Sequence, residues 1–154
     1  MTDGAHTDLL LVRLRADLLG LPLSSVAETM RPLPCSPLPG APPFVLGAAL
    51  IRGVVTPVVD LAGALGRPQL EAPRRLVTVR AGARAVALAV DDVLGVRRLE
   101  AAQLVGLPPL LEPATAAVSA LAVLDRELLL VLEAGHFVDG AADATAAPAP
   151  QGPP

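Results

Sequence analysis

The sequence predicts an all-β fold of two small barrels with about five strands each. Three observations lead there. Apolar runs are short and recur every eight to twelve residues, turn-forming residues separate them, and no long segment carries the 3.6-residue period of an amphipathic helix. A chain of 154 residues is long enough to bury a useful core, either as one ordinary domain or as two very small ones sharing an interface.

The elements follow in order. Leu9 to Leu14 and Asp17 to Leu23 read as two strands with a tight connection at Arg15 and Ala16. Ser24, Ser25 and Val26 form a brief turn before Glu28 to Arg31. Pro32 to Pro43 is then too rich in proline for anything but an extended surface loop. Val45 to Leu61 holds two apolar runs hinged at Arg52-Gly53, where glycine supplies the backbone freedom of a hairpin turn. Pro57 lacks an amide donor, so its strand should be an edge or irregular at that point. Leu61 to Leu65 is one helical turn at most, with Asp60 as its N-cap. The polar stretch 66–75, GRPQLEAPRR, reads as a linker and a subdomain boundary between two halves.

The second half repeats the grammar of the first. Leu76 to Arg80, Ala85 to Val90 and Val93 to Leu99 suggest a three-strand meander. Pro108, Pro109 and Pro113 mark an irregular crossing. Ala116 to Leu124 and Leu128 to Leu132 form another hairpin, hinged at Asp125-Arg126-Glu127. Ala134 to Val138 suits a short helical turn. The ends, residues 1–7 and 139–154, are expected to be a flexible tail and a disordered Ala/Pro tail around a folded unit of residues 8–138.

Composition removes several function classes. Hydrophobic residues make up 53% of the chain and charged residues 18%, which places it among folded proteins. With no Trp or Tyr and only two Phe, the core must be aliphatic, and the aromatic platforms that stack single-stranded bases are missing. A net charge of -3 and a pI near 5.3 give no basic field for phosphate backbones or anionic lipid. The uncharged run from Pro32 to Ile51 could reach across a bilayer, but six prolines exclude a membrane helix, so no direct membrane insertion is expected. Cys35 is the single cysteine, and the start MTDGAHTD has neither the basic region nor the long apolar run of a secretory signal. Both point to a reducing cytoplasm.

No constellation for catalysis stands out. Asp91 and Asp92 are adjacent, so on an extended strand they face opposite ways and form no cooperating carboxylate pair. His6 and His136 lie near opposite ends with no second ligand at metal spacing, and Cys35 stands alone. Phosphate loop, nucleophile elbow and histidine triad are absent from the text. The reading is a non-enzyme without metal or cofactor. A small β-barrel ligand-binding protein or hydrolase is the remote alternative.

The segment GAALIRGVVTPVVDL, Gly47 to Leu61, resembles the signature of the CheW family of chemotaxis coupling proteins, in which a Gly leads to Asn-Leu-Arg-Gly, then Pro-Val and Asp-Leu. Upstream, LPLSSVAETMRPLPCSPLPGAPPFVLG is similar to the family's Leu-Pro, Val-x-Glu pair and proline-rich loop. Downstream, ALAVDDVLGVRRL resembles its Val-Asp-x-Val-x-x-Val segment, and PPLL with the Asp125 hairpin resembles its closing half. The likeness runs in order over residues 8 to 138.

The resemblance implies two five-stranded SH3-like barrels packed together with short helical turns. It also implies a cytoplasmic adaptor, at receptor arrays beneath the inner membrane, that couples the cytoplasmic tip of chemoreceptors to the regulatory domain of a CheA-type histidine kinase. Carried onto this chain, the receptor- and kinase-binding surface is Val26, Glu28, Gly47, Arg52, Leu76 and Val96, around a groove between the barrels, with Gly53, Pro57 and Asp60 as turn and cap residues. Arg52 at a hairpin tip offers five donors in a planar fork to a partner's carboxylate or carbonyls. Three departures stand out: Leu50 replaces the signature's Asn, Thr29 an apolar residue, and Arg126 the Gly of the last hairpin. The first two lie beside the expected contacts. They raise a second possibility, a scaffold of another motility pathway such as twitching or gliding, or a member that has lost one partner.

Overall fold

The computed structural model describes residues 5–107 and 117–145. Among the described residues, ten strands and two α-helices lie in the order β1 (His6–Leu14), β2 (Asp17–Pro22), β3 (Val26–Met30), β4 (Val45–Ile51), β5 (Val54–Asp60), α1 (Leu61–Ala64), β6 (Arg75–Ala81), β7 (Arg84–Val90), β8 (Asp92–Glu100), β9 (Val118–Leu124), β10 (Glu127–Leu132) and α2 (Ala134–Thr145). They build two five-stranded sheets: the first is ordered β8-β1-β2-β10-β9 and the second β3-β6-β7-β5-β4.

The two sheets have the same design. Each has an outer strand antiparallel to a tight hairpin, β8 on β1–β2 and β3 on β6–β7. That hairpin meets a second one in a short parallel ladder, β2 with β10 and β7 with β5. The second hairpins, β9–β10 and β4–β5, agree residue by residue: Ala120↔Val131 to Leu124↔Glu127 matches Gly47↔Val58 to Ile51↔Val54, and both ladders have a bulge one step further on. A single bridge extends each outer edge, Val105 to Leu121 and Ser36 to Ala48. Glu133 and Asp60 close the match, since each carboxylate accepts the amide hydrogen bond two residues ahead, at the start of α2 and α1.

The chain therefore reads as two copies of one repeat, β1 to α1 and β6 to α2, with their leading hairpins exchanged. The expected boundary at 66–75 is the junction of the repeats in sequence. It is not a boundary in space, because β1 and β2 complete the sheet of β8, β9 and β10, while β6 and β7 complete the other. The linker is also held down. Arg67 is ion-paired with Asp17, Arg15 Nη2 donates to Gln69 O at 2.6 Å, and the Leu70 amide donates to Asp60 Oδ2 at 3.0 Å. The expected β6–β7–β8 meander is corrected in the same way: β8 leaves for the edge of the other sheet and pairs with β1.

Strand alternation explains how one chain makes three cores. Leu9 and Leu11 of β1 join Leu18, Leu99, Leu124, Leu129 and Val131 inside the first sheet. Leu10, Val12 and Leu14 point the other way, into a central cluster with Leu19 and Leu21. The second sheet answers with Val77, Val79, Val86, Leu88 and Val90 in the centre and Leu76, Ala87 and Ala89 within. Burial on both faces is why these strands read as unbroken apolar runs instead of alternating ones.

Several local expectations are revised. Pro57 lies on an inner strand, yet the ladder from β5 to β7 spans only Val58 to Asp60, so the missing amide falls where that pairing has not begun. Residues 6 and 7 belong to β1 and not to a tail, with His6 opposite Glu100. The short turn at Ala134 continues as a 12-residue helix to Thr145, beyond the expected end at 138. Ala134, Phe137 and Val138 anchor it in the central core, and Ala141, Ala142 and Ala144 beyond them favour its continuation. The crossing expected at Pro108, Pro109 and Pro113, the PPLL segment and residues 146–154 lie outside the described residues.

Candidate functional site

The β4–β5 hairpin turns on two residues, Arg52 and Gly53, both with positive φ (51° and 78°), the signature of a type I′ turn. The turn projects Arg52 into solvent, its side chain 78% exposed. There it meets Glu28 of β3, with Nε to Oε2 at 2.7 Å and Nη2 to Oε1 at 3.0 Å. β3 and the β4–β5 hairpin lie at opposite edges of the same sheet, so this two-pronged pair ties the edges together across an open end. Hydrogen bonding to Arg52 is the main reason that the Glu28 carboxyl sits below the usual glutamate range; the nearby charge of Arg80 adds to it.

The backbone beneath Glu28 is equally specific. Ala27 is the extra residue of a bulge, and Thr78 repairs it by accepting from the Glu28 amide at 3.1 Å and donating to the Glu28 carbonyl at 3.2 Å. Val54, exposed and apolar, lines the same cleft as the pair, and exposed Leu50 and Val55 lie on the other face of the hairpin near its tip. Leu50 and Val55 face each other across the hairpin. An apolar rim with a charged pair at its centre is the composition of a contact surface.

The other expected contacts distribute differently. Val26 is half-buried against the central core and paired with Val79. Gly47 packs directly under the proline loop: a Cβ there would lie 2.2 Å from the Ser36 carbonyl oxygen, and φ is +147°, so the position is fixed by backbone packing. Leu76 is 2% exposed and belongs to the core of its sheet, out of reach of a partner. Val96 is exposed, but on β8 at the edge of the other sheet. The expected single groove thus resolves into one direct pair, Glu28 with Arg52, and a separate surface at Val96. Asp60 caps α1 through Ala62 N at 3.0 Å, and Gly53 supplies the second half of the hairpin turn.

Val96 belongs to an equivalent of the first site that the sequence reading missed. On the first sheet the matching hairpin turns at Asp125 and Arg126, and Arg97 of β8 donates to Asp125 at 3.3 Å, again joining the two edges of one sheet. Exposed Val123 and Leu128 face each other in the places of Leu50 and Val55. The signal was present: GAALIRGVVTPVVD and ALAVLDRELLLVLE have equal length and the same apolar rhythm.

A family model for the CheW-like domain matches residues 8–142. The chain belongs to the CheW-like family. Protein FrzA of Myxococcus xanthus is 38% identical over 93 residues, covering 59% of this chain and 57% of that protein. Chemotaxis protein CheW of Rhizobium meliloti (strain 1021) is 36% identical over 73 residues, covering 46% and 47%. The chain thus spans about half the length of these CheW-like relatives. The crystal structure of scaffolding protein TtCheW from Thermoanaerobacter tengcongensis superposes with a TM-score of 0.76 at 24% identity, over 84% of this chain and 90% of that one, so the CheW-like fold is shared. Among the described residues, no helix is long and apolar enough to cross a membrane, and no three His, Cys, Asp or Glu gather as metal ligands.

Proposed function

We propose that this protein is a non-catalytic adaptor that couples chemoreceptors to a CheA-type histidine kinase, working in the cytoplasm beside receptor arrays. Membership of the CheW-like family supports the coupling role, and the exposed Arg52–Glu28 pair within its apolar rim is the observation that carries the assignment to a surface. A solvent-facing ion pair contributes at most about 1 kcal/mol to folding. Its donors are well placed to change partners, and the apolar side chains around it gain from burial against a receptor helix or a kinase barrel. Modest contacts at two separate surfaces of one molecule reinforce one another when both are engaged, which suits an array.

A second reading is favoured by two observations. FrzA is the more similar of the two relatives above, and Leu50 stands where the CheW signature has Asn. On this reading the same scaffold serves a motility pathway other than standard chemotaxis, with a different kinase and receptor.

The deciding experiment is a pull-down of the wild-type protein from native extract beside Arg52→Glu. Recovery of a CheA-type kinase and a chemoreceptor, lost in the variant, is expected. Recovery of neither by a well-folded wild-type protein overturns the proposal.

A further inference from the structure

The clefts at the open ends of the two sheets are lined by matching positions, and one difference between them is chemical. The first cleft is bounded by Leu11, Arg13, Leu18, Leu94, Leu124, Asp125 and Glu127, among others, and the second has Thr78, Arg80, Ala85, Ala27, Ile51, Arg52 and Val54 in the same places. In the first, Arg13 is neutralised by Glu127, the residue that follows the hairpin turn, and Arg97 by Asp125. In the second, Arg52 is neutralised by Glu28, but Arg80, the counterpart of Arg13, finds Val54 where Arg13 finds Glu127. Two guanidiniums there meet one carboxylate instead of two. Among the described residues Arg80 has no ion pair and donates no side-chain hydrogen bond.

We propose that the cleft of the second sheet receives an acidic side chain carried on an apolar segment of a partner protein, with Arg80 binding its carboxylate. The proposal rests on the adaptor reading and names the chemistry that its partner presents. The first sheet serves as the template: Arg13 shows that a guanidinium at this position of the hairpin donates to a carboxylate at the open end, gripping Glu127 with both Nη1 and Nη2. The hollow beside Arg80 is about 210 Å³, enough for a side chain. Its polar floor is already satisfied, because the Thr56 hydroxyl donates to Val54 O and Thr78 is committed to Glu28. Arg80 is the group left with open donors. Val54 and Ala83 line the cleft with exposed apolar surface that suits the apolar remainder of the segment.

The test uses the full chain and two acetylated, amidated peptides, Leu-Leu-Glu-Leu-Ala and its glutamine analogue, titrated at low salt and followed by amide and Arg Nε–H nuclear magnetic resonance. Saturable shifts at Val54, Thr78 and Arg80 are expected, with about tenfold tighter binding of the glutamate peptide, as a charge-assisted hydrogen bond gives. Val54→Glu supplies the missing internal carboxylate and should abolish the discrimination in a folded protein. Val54→Gln should keep it, and Arg80→Gln should lose it. Equal binding of the two peptides, shifts centred on Arg13 and Arg97, no saturable shift at Arg80, or a Val54→Glu protein that still discriminates would each overturn the assignment. A failed titration beside an intact pull-down removes the role of Arg80 alone, whereas a failed pull-down beside glutamate-selective binding removes the adaptor reading.

Discussion

Gly53 and Arg126 occupy the same place in two matching hairpins, and both adopt positive φ, 78° and 68°. For glycine that conformation carries no steric penalty. For a residue with a Cβ it costs about 1–2 kcal/mol. Arg126→Gly should therefore stabilise the protein by about 1 kcal/mol, the gain being trimmed by the greater freedom of glycine in the unfolded chain. Gly53→Ala should cost about as much, through strain alone, since a Cβ there meets nothing within 4 Å. Urea midpoints of the two variants check both signs.

Gly47 presents the opposite case, in which space and not only conformation is the limit. Gly47→Ala drives a methyl group into the Ser36 carbonyl and should destabilise the protein by about 3 kcal/mol, the sum of overpacking and strain. Hydrogen exchange should show lost protection first at Ser36 and Ala48, whose amides bond each other's carbonyls at 2.9 Å.

Leu76 and Val96 differ in burial, and substitution should show it. Leu76→Ala should cost about 2–5 kcal/mol, as for any large core residue. Val96→Ser should leave the unfolding midpoint nearly unchanged, because its side chain already faces water. Thermal unfolding of the two proteins distinguishes these outcomes in one experiment.

The pH dependence of the Arg52–Glu28 pair has a definite sign. Hydrogen bonding to Arg52 depresses the Glu28 pKa in the folded state. The stabilisation is therefore complete above the usual glutamate value of about 4.3 and is lost as pH falls through the depressed folded value. A carbon-13 titration of the Glu28 carboxyl should show a midpoint below the ordinary glutamate value, rising in Arg52→Gln. Glu28→Gln should flatten the acid limb of the stability curve within the same window, and added salt should shrink the difference.

The exchanged hairpins allow a test by cutting the chain. Fragments 1–74 and 75–154 each hold strands of both sheets and complete neither. Expressed together they should co-purify as a folded pair. Expressed singly they should give collapsed amide spectra, and a well-dispersed spectrum from one fragment would refute the interleaved core.

Much of this architecture was legible because its signals are local. Glycine after Arg52, Asp125 at a break between apolar runs and Asp60 before Leu61 each mark a turn or cap through their own chemistry. The assignment of strands to sheets was not legible, because Leu9 to Leu14 and Val86 to Val90 are apolar on both faces and show no preference of partner. The same cause misplaced Leu76: a strand buried on two sides looks no different from one that offers a face to solvent. Glu28 and Arg52, far apart in the text, were both singled out, but through family resemblance. Their contact depends on the sheet closing on itself, and the contrast of Arg80 with Arg13 emerges only when the two repeats are laid over one another.

That interleaving has a mechanical consequence. The central cluster of leucines and valines draws on strands of both sheets, so the hairpin that carries Arg52 and the hairpin that carries Asp125 are set on one continuous core. The two hairpin tips are therefore not carried on independently folding halves: loosening either sheet disturbs strands of both repeats.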